Sequence, residues 1–149
     1  MSLFSRLRGG RGGSQHSIAQ AVMTPAIITL LADGKIYDAE IRQLSMTCSV
    51  SPLFRGFDAQ DFGRAVAAVG TSIDAKGSNA TLAEAAAMLS PELCESAFCL
   101  AALVASSDGN VDATEVDALT SIARAMQIQI DQVDKILEVV MMLQRHSNG

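Results

Sequence analysis

One pattern occurs twice in this chain. Asp33-Gly34-Lys35-Ile36-Tyr37-Asp38-Ala39-Glu40-Ile41 returns 75 residues later as Asp108-Gly109-Asn110-Val111-Asp112-Ala113-Thr114-Glu115-Val116, and the copies close on Leu44 and Leu119. The shared form is D-G-x-[IV]-x-x-x-E-[IV]-x-x-L. Each copy follows an apolar helical stretch and precedes another, so each reads as a helix-turn-helix corner rimmed by carboxylates. A repeat constrains the fold before any single residue does. It predicts two related halves whose acidic corners come together.

The rest of the chain agrees with an all-α reading. Its 149 residues suffice for one domain with a real core, 49% are apolar, and Trp is absent. The bulk is Ala, Leu, Ile, Val and Met, without the alternating runs of a strand protein. We expect a flexible segment over 1–14, read from the run Gly9-Gly10-Arg11-Gly12-Gly13-Ser14, and one compact helical domain over 15–146. The first core helix spans about 17–32, kinked or restarted at Pro25. A second covers 38–49. A third, capped by Asp58, runs to Val69 with Phe62, Val66 and Val69 inward.

Residues 70–79 read as irregular, and a helix over 81–89 follows. Ser90-Pro91-Glu92 starts the next, with Ser as N-cap and Pro at the first helical position. Asp112 and Glu115 have capping-box spacing, opening a helix striped by Val116, Leu119, Ile122, Ala123 and Met126. Asp131 is expected to cap the last helix, whose inner face is Val133, Ile136, Leu137, Val140 and Leu143. The total is six or seven helices.

Charge and composition exclude several functions. The net charge is -5, yet Arg6, Arg8 and Arg11 sit in an acid-free start; beyond it stand sixteen acids against eight bases. So acidic a body repels phosphates and argues against nucleic-acid binding. The apolar run Ile18 to Ala32 is too short for the ~20 residues of a membrane span. Cys48, Cys94 and Cys99 show no zinc-type spacing and read as buried thiols of a reducing cytoplasm. No nucleophile constellation or phosphate loop is visible, so neither catalysis, an organic cofactor nor a small-molecule substrate is expected. Leu3, Phe4 and Leu7 with the three arginines suit peripheral contact of residues 1–11 with an anionic membrane surface.

The acidic corners admit two readings. Gly34 and Gly109 can end a helix, and the acids can cap the next one. Alternatively, D-G-x-[IV]-D-x-x-E at Asp108 to Glu115 matches the second half of an EF-hand loop. The first half is missing: the two preceding ligand places fall on Val104 and Ser106, and in the first copy on Thr29 and Leu31. The candidate metal ligands are therefore Asp33, Asp38 and Glu40 with Asp108, Asp112 and Glu115. Three carboxylates are too few for the 6–8 oxygens calcium prefers, unless carbonyls, water or the partner corner contribute.

With its MSLF start, an apolar helix ending in A-D-G and a second S-D-G-N-x-D-x-x-E, nearly the whole chain resembles the TerB family of tellurite-resistance proteins. The resemblance implies a compact fold of about seven helices and an acidic cytoplasmic protein acting with membrane-embedded Ter partners, at the inner face of the cell membrane. Carried over by motif, the family's acidic cluster falls on Asp33, Glu40, Asp108, Asp112 and Glu115. The chain departs from it at Tyr37, where the second copy has Asp112, and Asp38 stands one place along. The expected function is a non-enzymatic, divalent-cation-responsive interaction module in tellurite resistance or stress response. The alternative is a metal-free helical adaptor whose acids only cap helices. Thiol chemistry on tellurite by the three cysteines is a third reading.

Overall fold

The computed structural model describes the backbone over 3–32, 38–106 and 113–145, and side chains over 16–32, 40–106, 113 and 115–145. Among these residues there are seven α-helices and no strand: α1 Leu3–Leu31, α2 Asp38–Cys48, α3 Ala59–Lys76, α4 Ser78–Ala87, α5 Pro91–Ala105, α6 Ala113–Ala125 and α7 Ile130–Leu143, with a 3₁₀ turn at Pro52–Phe54. The all-α single domain expected from composition is what the chain forms. None of the described helices is long and apolar enough to cross a membrane.

The two central helices, α1 and α5, pack most extensively on each other. Their faces are rich in small residues, which lets the backbones approach closely: Ala19, Val22, Ala26 and Ile27 on α1 are fully buried, as are Ala97 and Ala101 on α5. Around this spine the contacts are reciprocal. Helix α2 packs on α5 while α6 packs on α1, and α3 covers α1 while α7 covers α5. Helices α1–α3 therefore correspond to α5–α7, with α4 inserted against α1, α3 and α6. The closing leucines of the repeat, Leu44 and Leu119, both lie in the core.

Symmetry fails at two places: α6 packs on α5 whereas α2 stands off α1, and the outer helices differ. Helix α3 packs on α2, but α7 stands off α6 and leans on α5 instead. Ile41 is therefore half-buried, whereas its repeat partner Val116 is 49% exposed.

Several helix boundaries depart from sequence expectation, each for an identifiable reason. Helix α1 runs unbroken through Gly9–Ser14 and through Pro25. Extending a nucleated helix costs far less than starting one, so the glycines need not break it. Pro25 forfeits one backbone hydrogen bond, but its ring is buried. The Thr24 and Thr29 hydroxyls donate to the carbonyls of Gln20 and Pro25 at 2.8 and 2.9 Å.

Helix α3 continues past Val69 to Lys76, because Gly70 merely weakens a helix while Gly77, at φ 89°, ends it. Its start carries a full capping box, Asp58 with Asp61. Asp131 is not the cap of α7. Gln129 takes that position without a side-chain bond, and Asp131 lies in the first turn, where its charge favours the helix dipole. Leu143 faces solvent at the frayed end rather than the core.

Candidate functional site

The two corners are built alike from the flanking helices. At the first, Ala32 N–H donates to the Thr29 carbonyl and closes α1 with a tightened turn. At the second, Ser106 N–H donates to the Ala102 carbonyl, and its buried hydroxyl donates to the same carbonyl at 2.8 Å. Helices α2 and α6 then begin at Asp38 and Ala113. Glu40 and Glu115 occupy equivalent places, the third residue of each following helix, and both are half-buried and engaged by neighbours. There each glutamate faces the positive end of its helix dipole.

Asp33, Asp108 and Asp112 lie outside the described residues, as does the side chain of Asp38. Gly34 and Gly109 do so too. The end of α1 and the middle of α6 line one cavity. Ile28, Leu31 and Ala32, at the end of α1, share a cavity of about 320 Å³ with Asp117, Ser121 and Ile122 of α6. Ile73 of α3 and Ser78, Asn79 and Leu82 of α4 line the same cavity.

The fit to calcium can be tested at the incomplete loop places. Thr29 stands at the first ligand place of copy one and Ser106 at the third of copy two. Both hydroxyls are committed to carbonyls of their own helices, Pro25 and Ala102, and both residues are buried. Their oxygens keep lone pairs, but both side chains are packed away from solvent. Among the described residues no group of three or more His, Cys, Asp or Glu is gathered to hold a metal. Any ion here must rely on the corner carboxylates with backbone carbonyls or water.

The thiols are poorly placed for chemistry. Cys48 is fully buried, and desolvation pushes its pKa from an ordinary 9.0 to about 12. Burial raises Cys99 as well, and Cys94 is raised by burial and by the Glu95 charge. A thiolate nucleophile needs the opposite shift. His16 is exposed, and its ring lies 4.9 Å from that of Phe57 at a 45° tilt, beside the Phe54–Phe57–Phe62 cluster.

Sequence reading missed a second feature. Between α6 and α7, over Phe98 of α5, runs an apolar groove of about 570 Å³ lined by Val116, Leu119, Ile128, Ile130, Leu137 and Met141. A signal was available: α7 carries Ile136, Leu137, Val139, Val140, Met141, Met142 and Leu143, more apolar residues than one buried stripe uses.

Comparison with protein-family models, with curated proteins and with solved structures gives no match to this chain.

Proposed function

We propose that this chain is a non-enzymatic helical module of the cytoplasm that binds a divalent cation, calcium foremost, at its paired acidic corners. By its resemblance to TerB proteins it would act in tellurite resistance or stress response, its acidic face meeting a membrane-embedded Ter-type partner. The observation that supports this reading best is the doubled D-G-x-[IV]-x-x-x-E motif, each copy between packed helices, with the end of α1 and the middle of α6 lining one cavity. Carboxylates brought within 4 Å of one another would repel by about 1 kcal/mol per pair even in water. A divalent cation relieves that repulsion.

A metal-free adaptor is the competing reading. It is favoured by the commitment of Thr29 and Ser106 to helix carbonyls and by Glu115 in the first turn of α6. Calorimetric calcium titration separates the two, with Asp112→Asn as the discriminating variant. Asn retains a capping oxygen but not the charge, so its melting temperature in chelator should match wild type. Calcium at a hundredfold excess over Kd should stabilise wild type by roughly 2.7 kcal/mol and the variant by much less. A wild type that neither binds nor responds to calcium leaves the adaptor reading standing.

A further inference from the structure

The α6–α7 groove is a seat for a helix, and we propose that its occupant is the arginine-bearing N-terminal segment of a second copy of this chain. The groove has the form that takes an amphipathic helix, two apolar walls and an apolar floor. Its walls stay open to solvent: Val116, Ile130 and Met141 are 49, 80 and 54% exposed. Along α7, Asp134 and Glu138 follow Ile130 at intervals of four and border the lining positions Leu137 and Met141. Neither acid is paired with a base among the described residues. The groove is thus apolar within and acidic along its α7 rim, with Arg124 on the α6 wall.

The chain contains one segment of complementary chemistry. Leu3, Phe4 and Leu7 have the i, i+1, i+4 spacing of one helical face, Arg6, Arg8 and Arg11 accompany them, and no acid interrupts the first eleven residues. The backbone there is helical from Leu3 onward. It cannot be its own groove's occupant. Helix α1 packs through the body as one unbroken helix, and Leu3 lies ~42 Å along it from Leu31. The groove is walled by α5, α6 and α7, and a continuous helix does not turn back into it. The partner is therefore another molecule, and reciprocal exchange of the two segments closes a two-fold dimer.

Sedimentation velocity over a concentration series tests this on the full chain, a chain lacking residues 1–13, and Val116→Glu and Ile130→Glu, whose exposed side chains can be changed without disturbing the core. The full chain should move from 15.6 kDa toward twice that mass as concentration rises, and the truncated and groove variants should remain monomeric. A labelled peptide of residues 1–13 should bind the truncated protein. Binding should weaken as salt rises, and should fall at least about tenfold with Ile130→Glu or with the three arginines changed to alanine. A full chain that stays monomeric overturns the proposal, as does self-association or peptide binding indifferent to the groove variants. A peptide that ignores the protein but binds anionic vesicles assigns the segment to a lipid surface and equally overturns it.

Discussion

Cys48 shows how a single buried group writes itself into the stability of the whole chain. Its thiol is surrounded by core, and burial raises its pKa from 9.0 to about 12. In the unfolded chain it ionises near its ordinary value; in the folded chain it holds its proton. The stability it contributes is therefore intact below pH 9 and is lost as pH rises from there toward 12, at roughly 1.4 kcal/mol per pH unit. Urea titrations from pH 7 upward should show this fall, and Cys48→Ala should make it shallower, leaving the part that the raised thiols of Cys94 and Cys99 contribute. At pH 7 the alanine variant should be weaker by about 1 kcal/mol through lost packing. Equal pH dependence in both proteins would falsify the assignment.

At the scale of elements, glycine decides where helices stop. Gly77 divides α3 from α4 with φ 89° and ψ 163°, a region essentially closed to side chains. Gly70 lies inside α3, and an added Cβ meets nothing within 4 Å at either position. The two substitutions should thus differ in sign for backbone reasons alone. Gly77→Ala should destabilise by about 1–3 kcal/mol, and Gly70→Ala should stabilise by about 1 kcal/mol, both read from denaturant midpoints.

The same pair explains what was legible in the sequence. Ser90-Pro91 and Asp58 announced their helices because cap chemistry is local. Gly70 resembled a break because a glycine's letter does not reveal its φ. Asp131 was mistaken for a cap because Gln129 fills that place with no side-chain bond to betray it. The groove was hidden for a different reason: Val116 has the period of a core residue, and only the stand-off of α7 leaves it exposed.

For the whole molecule, the repeat predicted two related halves, and the helices pack as related halves without being independent ones. Ala19, Val22, Met23, Ala26 and Ile27 of α1 are sealed mainly by α5, which belongs to the other half. Cutting the chain at Gly77 would expose this spine on both sides, at about 25 cal/mol for each Å² of apolar surface returned to water. It would also cut each half to fewer than 80 residues, a size at which a single core is marginal. Neither 1–77 nor 78–149 should fold alone, whereas mixing them should restore helical circular dichroism and a cooperative melt. Fragments that melt cooperatively by themselves would show that each half carries a sufficient core. The shared α1–α5 spine would then be an interface between two small domains, and the acidic corners would be free to move relative to each other.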